Sequence, residues 1–371
     1  RDPREGRRSP GPLPETPPTQ FEQYVTPEIR RIGGPASKTA DIEATMVHGA
    51  HGPKEVRVHA CGLNTVDVNT RVGRYAREVQ APTQGEGFGV EVGAWSGRVR
   101  FPLIQGSDIV GVVDRVGEGA DPRLLGRRVV DNWIRDPEEP WNPMKARYVG
   151  SEVDGGFADH CVVPEANVVP VESPLPSVAL ATLACSGTTA EGMLERAGVG
   201  VFLVQLAKLR KARVVALASP EKHEALRALG ADVCLPRSPG NLPKALEAAT
   251  GRPHVDAVAD VVGGSLFPAL LEALRPGGAY VTSGAIAGPK ADLDLRDLYL
   301  RNLTLRGSGL VPPEILRRLV RSVEEGRLSP VVAGVWPLER LPEAQAAFLE
   351  KRHVGKLVVY HLPEALEPYK G

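Results

Sequence analysis

The segment from residue 201 to residue 284 alternates helical and apolar extended patterns, and this alternation constrains the fold more than any other feature. Strands are predicted at 213–218, ADVCL, 255–262 and 278–284, and helices at 201–210, 220–229, LPKALEAAT and SLFPALLEAL. Strands and helices that alternate at this spacing are typical of a parallel sheet with helices on both faces. The sequence therefore predicts an α/β domain of the doubly wound type.

The residues before this segment predict a small β domain. The run EVRVHACGL at 55–63 alternates like a strand, and residues 108–130 hold two β-branched runs punctuated by glycines. Residues 155–171 supply a further strand pair, and 88–101 interrupt the pattern as a glycine-rich excursion. Glycines inside strand patterns mark bends and bulges, so these runs favour a barrel-like β domain.

The segments that flank the α/β alternation are also patterned. Residues 177–197 have helical periodicity with an interruption near Ser186–Gly187. The C-terminal segment predicts helices at 312–325 and 340–350 and strands at 331–335 and 356–360. We expect this last segment to return to the β domain.

The chain is accordingly divided into four parts. Residues 1–43 form a tail that contains eight prolines and six arginines, 44–173 the β domain, 174–309 the α/β domain and 310–371 the C-terminal return. The tail cannot bury enough apolar surface to offset its conformational entropy, so we expect it to be disordered. Its interspersed acidic residues and sparse serines do not favour a transit peptide.

Composition narrows the class of partner. Lys+Arg and Asp+Glu both number 45, so there is no global attraction to nucleic acid or to an anionic membrane, and a small-molecule partner is expected. The four cysteines are scattered without a CxxC pair, which suits a reducing compartment, and we expect a cytoplasmic protein. No apolar run reaches the roughly 18 residues that a membrane span needs.

Several motifs in a fixed order carry a family resemblance. They are ACGLNTVDVNTRVGRY, FPLIQGSDIVGVVDRVGEG, GRRV, GGFADHCVVP, ACSGTTAEGML, QLAKLRKARVVA, ALGAD, ALRPGGAYVTSG and HVGKLVV. From about residue 44 to 361 the chain resembles the medium-chain dehydrogenase/reductase superfamily, nearest to its quinone-oxidoreductase-like and zinc-type alcohol dehydrogenase-like members. The resemblance implies a GroES-like β-barrel catalytic domain, a Rossmann doubly wound parallel sheet, hydride transfer with a nicotinamide cofactor, and a homodimer.

Three positions bear on a catalytic zinc. In the zinc-dependent branch of this superfamily a cysteine stands at the position of Asn64 and a histidine at the position of Ser107, and only Cys185 keeps a ligand. A catalytic zinc needs three protein ligands, and neither an asparagine amide nor a serine hydroxyl is a usual one. Cys185 is therefore interpreted as a small buried hydrophobe, and no metal is expected.

Without a metal, the resemblance implies that hydrogen-bond donors polarise the substrate oxygen, and it places Asn64, Asp67 and Tyr75 in the substrate cleft. A tyrosine at the position of Tyr75 is the proton donor of related enoyl reductases, since a phenol can donate to an oxygen that gains charge. An amphipathic residue at the domain surface is an equal alternative. Asp67 is expected to orient the backbone or Arg71. Thr189 would touch the nicotinamide or, alternatively, cap a helix N-terminus.

The end of the second Rossmann strand reads the cofactor ribose. Here RVVALA is followed by Ser219, and Lys222 lies one turn further on. A hydroxyl and an ammonium suit the 2′-phosphate of NADPH, although Lys222 could equally be a solvated helix residue. Glu221 falls at a helix start, where carboxylates are common.

Other positions are assigned to the cofactor cleft by the resemblance. The segments DVVGG and TSGAIAG end strands at the carboxyl side of the sheet, where ligands bind in such folds. They supply Val262, Gly263, Ser283 and Gly284, although glycines are common in ordinary loops of this kind. Lys356, in RHVGKLVV, belongs to the segment that closes over the cofactor.

One expected element has no counterpart in the sequence. The first Rossmann strand and its glycine turn should stand between TTAEGMLERAG and VQLAKL, yet only AGVG, with Gly198 and Gly200, is found there. Roughly 14–17 residues are missing, judging from family spacing and the length of a strand with its turns. The sequence could omit residues that exist, the protein could carry a true deletion, or VGVFLVQ could become extended and replace the strand.

These observations lead to a main hypothesis and two alternatives. The main hypothesis is a zinc-independent, NADPH-dependent oxidoreductase that reduces quinones, enones or related carbonyl compounds. The first alternative is a degenerate member that keeps the fold but no longer binds cofactor. The second is a zinc-type alcohol dehydrogenase, which the ligand positions disfavour.

Overall fold

The structure of the protein is a computed structural model that describes residues 53–71, 75, 103–131, 133–134, 142, 145–196 and 201–368. The predicted tail at 1–43, the glycine-rich excursion at 88–101 and the cofactor candidates Gly198 and Gly200 lie outside the described residues. Within the described part, no helix has both the length and the apolar character that a bilayer crossing requires.

The β domain is built on one mixed sheet. Its strands are β1 (Pro53–Gly62), β2 (Asp108–Val116), β3 (Arg128–Asp131), β6 (His160–Pro164), β7 (Val169–Pro170), β13 (Val332–Pro337) and β14 (Lys356–Tyr360). They follow the order β13-β14-β1-β2-β3-β7, and β6 also pairs with β1. Among the described strands of this sheet, only the β13–β14 pair is parallel. A separate short antiparallel ribbon joins β4 (Trp133–Ile134) to β5 (Arg147–Tyr148). The strands predicted at 55–63, 108–130 and 155–171 are confirmed.

The glycine at position 111 shows why these strands are punctuated. A Cβ at Gly111 would lie 2.2 Å from the carbonyl oxygen of Arg57 in the neighbouring strand. Any side chain there would force β1 and β2 apart, so the close approach of the two backbones requires glycine.

The α/β domain follows the predicted alternation. Its helices are α3 (Ala184–Arg196), α4 (Val201–Leu209), α5 (His223–Ala228), α6 (Leu242–Thr250), α7 (Phe267–Glu272) and α8 (Leu295–Leu300), and its strands are β8 (Val215–Leu217), β9 (Val233–Leu235), β10 (Val255–Asp260), β11 (Leu274–Thr282) and β12 (Thr304–Gly307). All pairings are parallel, as the sequence predicts. The strands form two separate pieces, β8-β9 and β10-β11-β12. Helix α8 and strand β12 were not expected from the sequence.

The predicted helix interruption lies at a different place. Helix α1 (Thr65–Arg71) belongs to the β domain, α2 (Ser177–Leu180) ends at Leu180, and α3 begins at Ala184 and continues through Ser186–Gly187 without a break. A Cβ at position 187 would lie 3.1 Å from Leu319 Cδ1, which is a tight contact. The glycine therefore permits close helix packing and does not end the helix.

The C-terminal segment returns to the first strand. Helices α9 (Pro313–Glu324) and α10 (Leu341–Glu350) alternate with β13 and β14, which matches the predicted pattern. Strand β14 pairs antiparallel with β1, with Ala60 opposite Tyr360 and Gly62 opposite Val358. The last strand of the described chain therefore lies between β13 and β1 in the same sheet.

The largest core cluster joins the two domains. It includes Ala60 and Val110 of the mixed sheet, Leu180 between the domains, and Ile315 and Leu319 of α9. Leu319 is 1% exposed, and it contacts α3 at Gly187. Packing of α9 on α3 is therefore central to the hydrophobic stabilisation of the molecule.

Leu319→Ala is expected to lower the free energy of unfolding by about 2–5 kcal/mol, because it removes buried methyl groups and leaves a cavity. Leu295→Ala is the matched control, since Leu295 is 64% exposed and its truncation should change stability by less than about 0.5 kcal/mol. Urea denaturation followed by circular dichroism measures both. Equal effects of the two substitutions would contradict this description of the core.

Candidate active site

A buried ammonium group organises the polar cluster at the junction of the two domains. Lys356, the first residue of β14, is 7% exposed. Its Nζ lies 2.6 Å from Asp108 Oδ2, donates to Ser186 Oγ at 2.9 Å, and donates to Asn64 Oδ1. These three contacts match the three hydrogens of an ammonium group, so the donor capacity of the side chain is used.

Strand geometry brings these residues together. Asp108 begins β2 directly opposite Gly62, at the end of β1, and Asn64 follows two residues later. A Cβ at Gly62 would lie 2.3 Å from the carbonyl oxygen of Ala181 and 2.8 Å from Lys356 Cε. Glycine at this position therefore gives the lysine side chain room to reach the cluster.

The carboxylate of Asp108 balances the buried charge. Asp108 is fully buried, and it also accepts hydrogen bonds from the side-chain amide of Asn64 at 3.0 Å and from the backbone amide of Cys185. Burial alone would lower the pKa of Lys356, but the attraction of Asp108 and its neighbours raises that pKa above its ordinary value. The lysine is therefore a permanent cation at neutral pH.

Asn64 is held by this cluster on every side. Its Nδ2 donates towards the carbonyl of Gly62 at 3.1 Å, Ser107 Oγ at 3.1 Å and Asp108 at 3.0 Å, while its Oδ1 accepts from Lys356. Both amide hydrogens have acceptors inside the protein. The geometry thus favours a positioning role for Asn64 over the expected direct donation to substrate.

The three positions considered for zinc do not form a ligand set. Asn64 Nδ2 donates a hydrogen bond to Ser107 Oγ, and Cys185 Sγ accepts a hydrogen bond from Tyr148 Oη at 2.9 Å. Burial, followed by the nearby Asp108, raises the pKa of the Cys185 thiol to about 12, which disfavours the thiolate that a metal requires. Among the described residues, no three His, Cys, Asp or Glu side chains are grouped to hold a metal ion. These donors do not fit a catalytic zinc.

Asp67 occupies the structural position that the sequence suggested. It is 2% exposed, and its Oδ2 accepts the backbone amide of Asn64 at 2.7 Å. Arg71 donates instead to Gln345 at 2.6 Å. Burial raises the pKa of the Asp67 carboxyl to about 7, so its ionisation is coupled to the folded state.

Two tyrosines lie beside Cys185. Tyr75 and Cys185 pack against the small apolar cluster that contains Tyr148, Ala146 and Leu310, and Tyr75 Oη accepts from Asn69 at 3.4 Å. Burial raises the pKa of both phenols above the ordinary value, so each keeps its proton at neutral pH. Tyr75 therefore lies beside Cys185 together with Tyr148, and its place in the substrate cleft stays a prediction.

Thr189 is not a helix cap. It is the sixth residue of α3, which begins at Ala184, and capping groups act only within the first turn. The expectation of an N-terminal cap is therefore wrong. The side chain is half-buried, and its proposed contact with the nicotinamide stays a prediction.

The expected cofactor positions at the end of β8 lie in a cationic environment. Ser219 precedes a short 3₁₀ helix, and Lys222 ends it and donates to the carbonyl of Lys351. Burial and the charge of Arg237 lower the pKa of Lys222. Lys351 lies 3.3 Å from the ring centroid of Phe348, and burial with the charges of Lys356 and Lys222 lowers its pKa to about 7.

The glycine segments after β10 and β11 are closed by internal bonds. Asp260 accepts the backbone amides of Val262 at 2.7 Å and Gly263 at 3.0 Å, and it also accepts from Tyr280 Oη at 2.8 Å. Ser283 Oγ donates to the carbonyl of Ser308 at 2.6 Å. Gly284 adjoins this bond, and a Cβ there would lie 2.9 Å from the carbonyl oxygen of Val261. The backbone amides of Val262 and Gly263 are therefore occupied by the Asp260 side chain of the protein itself.

Sequence reasoning missed three members of the cluster, and its assignment of a fourth, Lys356, to the cofactor stays a prediction. Asp108 and Ser186 were not singled out, nor was Tyr148, and Lys356 was assigned to the cofactor. The signal available for Asp108 was an acidic residue inside an apolar strand pattern, which requires a buried cationic partner. No local pattern connects that partner to a lysine at the other end of the chain.

Comparison with known proteins agrees with this architecture. The family model described as alcohol dehydrogenase GroES-like domain matches residues 52–173, and the model described as zinc-binding dehydrogenase matches residues 198–325. A crystal structure from Sinorhizobium meliloti 1021, provisionally described as an alcohol dehydrogenase, is 40% identical, with a TM-score of 0.75. That match covers 85% of this chain and 91% of the other.

Two curated relatives illustrate the range of protein lengths. An acryloyl-coenzyme A reductase of Sulfurisphaera tokodaii is 25% identical over 288 residues, which cover 71% of this chain and 84% of the relative. The polyketide synthase GfsB of Streptomyces halstedii is 29% identical over 347 residues, or 90% of this chain. The chain spans only 5% of the length of that synthase.

The raised pKa of Asp67 has a defined effect on stability. Between about pH 4 and pH 7 the native carboxyl keeps a proton that the unfolded chain has lost, so this group makes the protein less stable as the pH rises. Asp67→Asn should remove that decline while keeping an oxygen for the Asn64 amide. The free energies of unfolding of both proteins, measured by urea titration from pH 4 to pH 8, give the difference. A difference that does not change with pH would contradict the assignment.

Proposed function

The chain belongs to the medium-chain dehydrogenase/reductase superfamily and is an NAD(P)-dependent oxidoreductase, and from this premise we propose that it is a metal-independent, NADPH-dependent reductase of quinones, enones or related carbonyl compounds. The observation that carries this proposal is the buried ammonium of Lys356, which contacts Asn64, Asp108 and Ser186. The ammonium is paired with Asp108, occupies the space between the former ligand positions, and orients the Ser186 hydroxyl as a donor to an oxygen that gains negative charge.

Ser186 is the group best placed to transmit that charge to a substrate. Its Oγ accepts from Lys356 at 2.9 Å, so the hydroxyl hydrogen points away from the ammonium. Ser186 is only half-buried, whereas Asn64, Asp108 and Lys356 are buried. We assign to Ser186 the hydrogen bond to the substrate oxygen, with Lys356 strengthening the donor from behind.

Tyr75 supplies the second donor in this scheme. Burial raises the pKa of the phenol above its ordinary value, so the hydroxyl stays protonated until a strongly basic oxygen develops next to it. Asn64 and Asp67 hold the first turn of α1 and the ammonium in place. A reduced nicotinamide, when bound, supplies the hydride, and Thr189 is proposed to lie against it.

The cationic groups after β8 fit a phosphate-bearing cofactor. Lys222 and Lys351 are adjacent, and Arg237 lies close enough to depress the pKa of Lys222. Mutual repulsion of these charges favours an anion between them, as the 2′-phosphate of NADPH would be beside Ser219. The relative named as an acryloyl-coenzyme A reductase supports a substrate with a carbonyl-activated double bond.

The degenerate alternative is favoured by one specific observation. The parallel sheet is divided between β9-β8 and β10-β11-β12, and the amides of Val262 and Gly263 are occupied by Asp260. A protein of this kind would keep the fold without binding cofactor. We also propose a cytoplasmic homodimer, which follows from the family resemblance and the cysteine usage alone.

Ser186→Ala tests the metal-free mechanism. Removal of one donor to a developing oxyanion should lower kcat about 10²- to 10³-fold with NADPH and a panel of quinones and enones. Ser322→Ala, on α9 and away from the cluster, is the matched control and should keep full activity. Prior dialysis against EDTA should leave the rate unchanged, and activity that is lost on dialysis and restored by zinc would refute the proposal.

Lys222→Ala tests the cofactor assignment. Loss of a charge-assisted hydrogen bond to the 2′-phosphate should weaken NADPH binding about 10- to 100-fold and leave NADH binding nearly unchanged. Lys208→Ala removes a comparable lysine that pairs with Asp232 and serves as the control. Nicotinamide fluorescence measures both dissociation constants. No binding of either cofactor by the parent protein at millimolar concentration would favour the degenerate alternative.

A further inference from the structure

A cavity of about 870 Å³ separates the two pieces of the parallel sheet. On one side it is lined by the strand β8, which pairs only with β9 among the described residues, and on the other by β10, which pairs only with β11. Each of these strands therefore presents one edge without a neighbouring strand. Unpaired strand edges expose backbone N–H and C=O groups that favour pairing with a further strand.

The lining residues show that the cavity runs along both edges. Residues 212–218 and residues 254–262 line it without a gap in either series. Successive side chains of a strand point to opposite faces of a sheet, so a cavity over one face would contact alternate residues only. Two unbroken series are expected only when the cavity lies in the plane of the sheet, between the strands.

Apolar helix residues close the cavity from the two faces. Leu194 and Val204 come from α3 and α4, and Leu246 and Leu270 come from α6 and α7. Val215 and Leu217 of β8 are only half-buried, as are Val255, Ala257 and Ala259 of β10. Strands in the interior of a parallel sheet are normally buried on both faces, so this exposure reflects an incomplete sheet.

The described part of the chain does not fill this space. Helix α3 ends at Arg196 and α4 begins at Val201, so only four residues connect them. A strand of ordinary length needs about 5–6 residues before its turns are counted. Residues 201–368 are all placed elsewhere in the fold.

Basic side chains stand at both ends of the cavity. Arg213, Arg252 and His254 lie at the amino ends of β8 and β10, and Lys222 and Arg237 lie beyond the carboxyl end of β8. Two carboxylates also line the cavity, but Asp256 pairs with Arg275 and Asp260 accepts the amides of Val262 and Gly263, so the basic groups are in excess; valine, leucine and alanine line the middle. Charge complementarity therefore selects a segment that is apolar in its centre and acidic at its two ends.

We propose that this cavity is a strand-docking slot, in which a second polypeptide inserts an extended apolar segment with acidic flanks between β8 and β10. The inserted backbone pairs with both free edges and joins the two pieces into one continuous parallel sheet. Its side chains contact the apolar helix residues on both faces, and its flanking carboxylates meet the basic groups at the two ends. This inference goes beyond the proposed function, with which it shares Lys222 and Arg237 at one end of the slot.

A fluorescein-labelled peptide, Asp-Glu-Val-Val-Leu-Val-Val-Glu-Asp, tests the proposal with the full chain. The peptide should bind saturably by fluorescence anisotropy, raise the melting temperature, and slow hydrogen exchange of the amides in β8 and β10. A peptide with proline as its central residue lacks one N–H and should bind at least about tenfold more weakly. A peptide with lysine in place of every acidic residue should also bind more weakly.

Protein variants separate slot binding from adsorption to the surface. Arg213 and Arg252 are exposed, and the substitutions Arg213→Ala and Arg252→Ala should each weaken peptide binding about two- to fivefold. Arg306→Ala, an exposed arginine on β12 away from the slot, should have no effect. Equal binding of the proline peptide, or no added protection of β8 and β10, would overturn the proposal. Protection of these strands in a dimer without peptide would also overturn it.

Discussion

The ion pair between Lys356 and Asp108 is the interaction on which the junction of the two domains depends. Asp108 begins β2, Lys356 begins β14, and Ser186 and Cys185 place the first turn of α3 against the same two groups. A buried ion pair gives little net stability when it is compared with apolar residues, but the loss of one partner leaves an uncompensated charge. This pair therefore specifies how the mixed sheet and the α/β domain meet more than it adds to overall stability.

The same interaction explains the chemistry that the site can perform. The Asn64 amide and the Ser107 hydroxyl stand where the zinc-dependent branch has a thiol and an imidazole, and burial keeps the remaining thiol of Cys185 protonated. The positive charge belongs to the Lys356 side chain, which is held at a fixed place and cannot dissociate from the protein. In the proposed reaction, this preorganised cluster would present a hydrogen-bond donor to a developing oxyanion without solvent reorganisation.

Much of the fold could be predicted from the sequence, because periodicity is a local property. Strand β14 was expected at 356–360 and lies there, and β10, α6 and α9 lie within one or two residues of their expected bounds. The helix interruption expected near Gly187 was wrong. The glycine leaves room for Leu319, and that residue lies too far along the chain for local sequence reasoning to connect the two. The contact of Lys356 with Asn64, 292 residues away, was beyond local reasoning for the same reason. The gap in the sheet could be anticipated because it is a matter of spacing: among the described residues no strand lies between β8 and β10, and Val201–Leu209 is helical rather than an extended replacement.

The crowding of cations after β8 couples ligand binding to protons. Burial and the charges of Lys356 and Lys222 lower the pKa of Lys351 to about 7. In a large fraction of the molecules, the Lys351 side chain is therefore neutral near physiological pH. An anion that binds among these groups stabilises the charged form and draws a proton from solvent. By linkage, the affinity for that anion weakens as the pH rises through this range, and the heat of binding depends on the ionisation enthalpy of the buffer. Binding of the proposed anion would therefore be accompanied by uptake of a proton.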